Sequence, residues 1–385
     1  MPSAIEDVVV TADGEPCPTV KSVEIVLSAE RGVRSAMIEV AEPDGRFWFP
    51  PGIPVVILAS GTTVLTGYAR DYQADYGEGG RDVRVEVESK TCDVAECGST
   101  HKTGRVEKKP LHRAAAELGQ GFGSKFRIEG AAGEPIPEIV VQPGESLFDT
   151  IERYARSQGL YVTDDERGDQ VLFKGIRGRH AGVLALPGNV LKGGARLTER
   201  TRKSERRVRG QSARGWSKAS FRQEGVVRDA AVKRHRPEII LHEGEADARR
   251  LKARAAYDQT RAAGFAIRAT AVVAGWRDED GRVWSPAYTI PFDAWDSLRV
   301  AQDMAIASAR LSWAKGRGTI ATLELRDPRA FAEKGKAGRG GKGGKGKASR
   351  SSRPAASGDG AGEGSPRADP AWEMPDGDPA IEVEE

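Results

Sequence analysis

Cysteine is scarce: three in 385 residues, Cys17, Cys92 and Cys97. So few, and an odd number, cannot form the disulfide framework of a small secreted fold, and they point to folding in a reducing compartment. Long apolar runs are missing too. "IPVVILA" at Ile53 is among the longest, far short of the ~20 residues a membrane helix needs. The start, "MPSAIEDVVVTADG", lacks the basic end and apolar core of a secretory signal. A soluble protein outside the general secretion route, with no membrane insertion, is therefore expected. Charge of one sign is not in excess: 59 basic residues face 56 acidic ones, a formal net charge of +3. That balance gives no polycation to hold nucleic acid. The five histidines, His101, His112, His180, His235 and His242, are scattered and form no catalytic pattern.

What is present is turn chemistry. Forty-six glycines and 21 prolines accompany 38% hydrophobic residues, the composition of a globular chain with many turns. Its length allows two or three domains at ~100–200 residues each. Up to about residue 95 one strand follows another: "DVVVTADG", "SVEIVLSAE", "SAMIEVAEPDG", "PVVILASGTTVLTGYARDY" and "YGEGGRDVRVEVESK". Alternating apolar positions such as Val83, Val85 and Val87, separated by Gly-rich turns, suggest a closed or nearly closed barrel.

The texture changes near residue 96. "KPLHRAAAELGQG" predicts a helix with Pro110 at its start and Gly119 at its stop. In "PGESLFDTIERYARSQG", Leu147, Ile151 and Tyr154 share a stripe, Ser146 is an N-cap with Asp149 three residues on, and Gly159 ends the helix. "LYVTDDERGDQVLF" then reads as a hairpin. From about 180 strands return, interrupted by one long helix, "EADARRLKARAAYDQTRAAG", which closes at Gly264. The last hairpin, "DMAIASARLSWAKGRGTIATLELRDP", repeats the arrangement of the one near residues 64–88: strand, Gly/basic turn, alternating strand. Two ordinary hairpins would show the same pattern, so the duplication stays one of two readings at this point.

The expected organisation is α+β and mainly β. A first β-barrel domain spans 1–95, completed by 180–225, and an inserted α/β domain spans 96–179. A second β-barrel domain with the long helix spans 226–334. Beyond it, residues 335–385 carry seven basic residues and then nine acids with one Arg among Gly, Ser and Pro, the composition of a disordered tail.

Several stretches approach chemical motifs and fall short. "GKGGKGKA" from Gly341 nearly spells a phosphate-binding loop, but Ala348 stands where Ser or Thr must reach Mg²⁺, and no strand precedes it. "HEGEA" at His242 has Ala246 in place of the second zinc-protease histidine. Cys92, Cys97 and His101 make a C-x4-C-x3-H set without a fourth metal ligand, as buried structural cysteines would. "GQSARG" at Gly210 is one residue too long for a nucleophile elbow. Asp164 and Asp165 sit in a turn, where solvated carboxylates are the ordinary expectation. "ERTRKSERRVRG" and the Arg-rich helix interleave acids with bases and match no base-reading pattern, so a solvated or subunit-facing surface is expected. Trp276, Trp284, Trp295 and Trp313 read as packing or interface aromatics. No catalytic, cofactor or metal residue is assigned.

The Pro143–Ser146 step into a helix resembles the opening of a LysM wall-binding module. Such a module needs a second helix, and here a hairpin follows the first. A different resemblance covers roughly residues 5–333. "VESKTCDVAECGS", "VVQPGESLFDTIERYARSQGLYVTDDERGDQVLF", "VKRHRPEIILHEGEADA" and "GWRDEDGRVWSP", in that order, resemble the Mu-like phage baseplate hub family. The resemblance implies a structural, non-enzymatic protein of a contractile tail. It would form a homotrimer of two related tail-tube-like barrels per subunit, a pseudo-sixfold ring joining the tail tube protein to the central spike protein. Baseplate wedge proteins would be neighbours, no cofactor or specific nucleic acid is implied, and assembly would take place in the host cytoplasm before incorporation into the virion tail baseplate. A cell-wall binding or degrading tail protein and a nucleic-acid binding protein are the alternatives.

Overall fold

The computed structural model describes residues 6–42, 45–78, 80–130, 133–211, 223–245 and 248–332. The tail 335–385, "GKGGKGKA" and most of "GQSARG" lie outside the described residues. The first β segment contributes β1 (Val8–Ala12), β2 (Glu15–Pro16), β3 (Val20–Ser28) and β4 (Ser35–Val40). It continues with β5 (Pro54–Ala59), β6 (Thr62–Gly77) and β7 (Gly80–Ser89). The insert follows as α1 (Cys92–Glu96), β8 (Arg105–Lys109), α2 (Leu111–Leu118), β9 (Phe126–Ile128), β10 (Ile136–Val140), α3 (Leu147–Gln158), β11 (Tyr161–Asp164) and β12 (Gln170–Phe173). Next come β13 (Gly178–Arg179), β14 (Leu184–Ala185), β15 (Val190–Leu197), β16 (Glu205–Gln211), β17 (Gln223–Arg228) and β18 (Pro237–Glu245). The long helix α4 (Ala248–Gly264) leads into β19 (Ile267–Ala274), β20 (Tyr288–Ala294), β21 (Val300–Ala314) and β22 (Gly318–Arg326). The fold is mainly β, as the alternating apolar positions require: along β3, Val23, Ile25 and Leu27 are buried while the residues between them are partly exposed.

Within the larger compact unit, one 14-stranded sheet runs β15-β19-β22-β21-β3-β4-β7-β6-β5-β1-β2, with β20 on β21. Neither half closes a ladder on itself among the described residues, so the architecture is two β units fused edge to edge rather than two sealed barrels. The strands of residues 180–197, assigned by sequence to the first unit, pair with the second: β14 lies on β20 and β15 on β19. Strand character was readable there, but partner identity was not. A second compact unit comprises residues 203–255. It holds the three-stranded sheet β17-β16-β18, covered on one face by Leu251 and Ala255 of α4 against Val208. The expected boundary between residues 225 and 226 falls inside this unit, because strand spacing is the same on both sides.

The two halves of the large sheet are built alike. In chain order the first half supplies β3, β4, β5, β6 and β7, and the second supplies β15, β19, β20, β21 and β22. Their sheet orders, β3-β4-β7-β6-β5 and β15-β19-β22-β21-β20, are the same permutation. Registers agree residue by residue. Tyr68 faces Glu88 and Asp71 faces Glu86 across a bulge at Ala69/Asp71; Ala305 faces Arg326 and Ser308 faces Glu324 across a bulge at Ile306/Ser308. A second bulge recurs at Val20/Ser22 in β3 and at Val190/Lys192 in β15. Matched bulges fix matched twist, so each half curves in the same way.

Candidate assembly interfaces

Among the described residues the informative sites are the seams between β elements and the edges left free. The main seam is β21 against β3, antiparallel from Ser308↔Ser28 to Ala314↔Ser22. One face of it is dry: Ala309, Leu311, Leu27, Ile25 and Val23 are buried, and Trp313 packs against them. Burying a Leu or Ile side chain contributes about 1.5–3 kcal/mol, so this face holds the halves together. On the other face Arg310 pairs with Glu24.

A second seam docks the insert. The Arg34 side chain donates to Asp164 Oδ1 at 3.1 Å, the Asp164 carbonyl at 3.0 Å and the Val64 carbonyl at 2.9 Å, while its backbone N–H reaches Asp164 Oδ2 at 3.0 Å. Thr163 Oγ1 donates to the Ser28 carbonyl, and Gln170 Nε2 to that of Gly32. Asp164 and Asp165 are therefore buried rather than solvated, which corrects the expectation for that turn. Asp165 Oδ1 accepts the amides of Arg167 and Asp169, closing the hairpin from inside. Burial pushes the Asp164 carboxyl above its ordinary value despite Arg34 beside it. Tyr161 and Phe173 of the insert stack at 5.4 Å, and Tyr161 meets Phe331 at 5.6 Å. Burial raises the Tyr161 hydroxyl to about 12.

A third lock involves His180, which the sequence left unassigned. Its Nδ1 lies 2.7 Å from Asp278 Oδ2, and Nε2 accepts the Ser285 amide at 3.1 Å, so the ring is neutral with the proton on Nδ1. Trp284 meets the ring edge-on at 5.0 Å. Nearby, Arg277 grips the buried Glu6 carboxylate at 2.8 Å and the Ala59 carbonyl at 2.8 Å, tying the loop after β19 to the N-terminal strand.

The remaining candidates resolve into structure. Cys92 is buried, and burial together with Asp93 pushes its thiol up to about 12; Cys97 is exposed. Among the described residues no three His, Cys, Asp or Glu groups come together as a metal site. His101 lies beside Thr103 and Glu117, His235 is exposed, and burial followed by Arg113 lowers the His112 pKa. His242 receives a hydrogen bond from Arg254. Trp276 is fully buried with its indole donating to the Ser312 carbonyl, and Trp295 is exposed. The basic stretch near Arg206 is ion-paired: Arg206 with Glu238, Arg207 and Arg209 with Glu224, Arg228 with Glu205. The arginines' charge is spent on the sheet itself.

At the LysM-like turn, a cleft of about 310 Å³ is lined by Glu96, Ser99, Gln142 and Glu145 among others. Glu145 is occupied there, accepting from Arg153, Thr150 and the Gln142 amide. Ser146 caps α3 through the Asp149 amide, Gly159 ends it at φ 68°, and β11 follows directly. The step serves to start a helix.

With these seams in view, comparison with known proteins is informative. Residues 91–174, the insert, match the family described as baseplate hub protein gp44-like, second domain. The baseplate hub protein gp44 of Escherichia phage Mu is 25% identical over 254 residues, 63% of this chain and 67% of that protein. The 43 kDa tail protein of prophage MuSo2 from Shewanella oneidensis shares the fold with a TM-score of 0.72 at 24% identity, over 85% of this chain and 99% of that one. A tail protein from Neisseria meningitidis MC58 shares it at 0.67 and 17% identity, over 85% and 99%. In fold the chain is thus similar to phage tail proteins, and in sequence to a baseplate hub protein. More narrowly, the chain is a relative of the Mu-like baseplate hub proteins, as the four ordered segments implied.

Proposed function

We propose that the chain is the structural hub of a contractile-tail baseplate, forming a homotrimeric ring of six β units that joins the tail tube to the central spike. The observation that carries this reading is the duplicated five-strand unit, with the same strand order and the same bulges in both halves. A threefold ring of such a chain presents six quasi-equivalent units. That is the geometry needed to match a sixfold tube on one side and a threefold spike on the other. The role is one of assembly rather than catalysis. Its partners are further copies of itself, the tube, the spike and the baseplate wedge proteins, in a particle assembled in the host cytoplasm. Domains follow the repeat: a β unit within 1–95, the α/β insert 96–179, and a second β unit drawn from the remaining sheet strands. Negative-stain images of the purified chain test the reading. Six lobes around an opening are expected, and a compact single-lobed particle overturns it.

A further inference from the structure

We infer that copies of this chain join head to tail by pairing the outer part of β6 (residues 71–77) with β15 of the next copy, in the register the chain already uses at its internal β21–β3 seam. The inference rests on the ring proposed above and gives its contact.

The argument is one of equivalence. β20 covers β21 only as far as Thr289↔Ala305, and from Ser308 onward the vacated edge is taken by β3. In the first half β5 covers β6 only as far as Pro54↔Tyr68. Beyond that point the same edge of β6 has no strand beside it among the described residues. In the second half β15, the counterpart of β3, is the last strand of the sheet and among the described residues pairs only with β19. The chain therefore carries one used and one unused copy of each half of the same joint. Transferring the register by the matched bulges, Ser308↔Ser28 becomes Asp71↔Thr198, Arg310↔Val26 becomes Gln73↔Arg196, and Ala314↔Ser22 becomes Gly77↔Lys192.

The side chains suit that register on both faces. One face would set Tyr72, Ala74 and Tyr76 opposite Leu197, Ala195 and Gly193, in the places of the dry Ala309, Leu311 and Trp313 against Leu27, Ile25 and Val23. Tyr76 is 89% exposed and Leu197 44% exposed in the isolated chain, which is apolar surface awaiting a cover. Tyr76 falls opposite Gly193, where Leu186 and Leu298 stand 3.0 and 3.3 Å from the place a Cβ would take, so its ring would meet those two leucines. The other face would set Asp71 and Asp75 diagonal to Arg196, with Lys192 diagonal to Asp75, within reach of opposite-charge pairing. A slip by one residue would turn Tyr76 and Leu197 to opposite faces and separate these charges.

The test is a cross-link in the full chain with Cys97→Ser. Gln73→Cys and Arg196→Cys are directly opposed, at the roughly 4.5–5.5 Å Cα separation of an antiparallel pair. That separation lies within disulfide reach. Gln73→Cys with Thr198→Cys is two residues out of register, at roughly 7–8 Å. Mild oxidation is expected to give reducible two- and three-chain bands for the first pair and to lose them for the second. A particle of trimer mass in which the first pair links no better than the second overturns the inference and leaves the ring standing. A chain that stays monomeric overturns both.

Discussion

Replacing Arg34 by methionine isolates the joint between insert and sheet. Arg34 is 8% exposed and Asp164 2%, and three side-chain hydrogen bonds of 2.9–3.1 Å leave with the guanidinium. Methionine keeps most of the aliphatic stem, so the loss is chiefly an uncompensated buried carboxylate, at about 3–5 kcal/mol. At about 2–4 °C per kcal/mol for a unit of this size, the melting temperature should fall by about 6–20 °C. The pH dependence carries the sign. The Asp164 pKa is raised above 3.8 by burial, against the pull of Arg34, so the folded state holds its proton more tightly than the unfolded chain. That contribution is full below the unfolded pKa and is lost as pH rises through the folded one. Without Arg34 the folded pKa climbs further. The deficit of Arg34→Met relative to wild type should therefore be largest near neutrality and should narrow as Asp164 protonates on acidification. Adding Asp164→Leu should recover most of the loss, because an apolar pair of similar volume replaces the ion pair. Denaturant unfolding followed by tryptophan fluorescence at several pH values measures all of this. A deficit under about 1 kcal/mol, or one that widens on acidification, refutes the reasoning.

Three further outcomes are expected. Burial lowers the His180 pKa below 6.5, so its neutral form contributes stability above that value that is lost as pH falls through the folded pKa; His180→Gln should cost about 1–3 kcal/mol at neutral pH and flatten this acid limb in calorimetry. Leu311→Ala at the β3–β21 seam should cost about 2–5 kcal/mol in thermal unfolding, since Leu311 is fully buried there. At Gly225 an added Cβ would lie 2.1 Å from the Lys252 amide nitrogen; Gly225→Ala should destabilise the 203–255 unit by about 1–3 kcal/mol, seen as faster amide exchange in those residues.

The elements were readable from sequence because their signals are local. Ser146 does cap α3 and Gly159 does end it in the left-handed region, and β11 and β12 do form a hairpin across residues 165–169. The likeness of the two long hairpins showed in their turns and alternation. The joints were not readable. Ser28 and Ser308 pair across nearly the whole chain, and an alternating strand carries no sign of which edge it will meet. The strands of 180–197 were identified but given to the wrong half for the same reason. Asp164 and Asp165 sit in a turn composition that ordinarily faces water; it is Arg34 beside Asp164, and Arg127 with the hairpin's own amides on Asp165, that make them buried anchors.

The central claim is that the chain associates as a threefold ring, and the solution mass of the purified 385-residue chain tests it most directly. Light scattering after size-exclusion chromatography should give three times the chain mass across the main peak at micromolar concentration. A peak of single-chain mass that does not change with concentration would contradict the account.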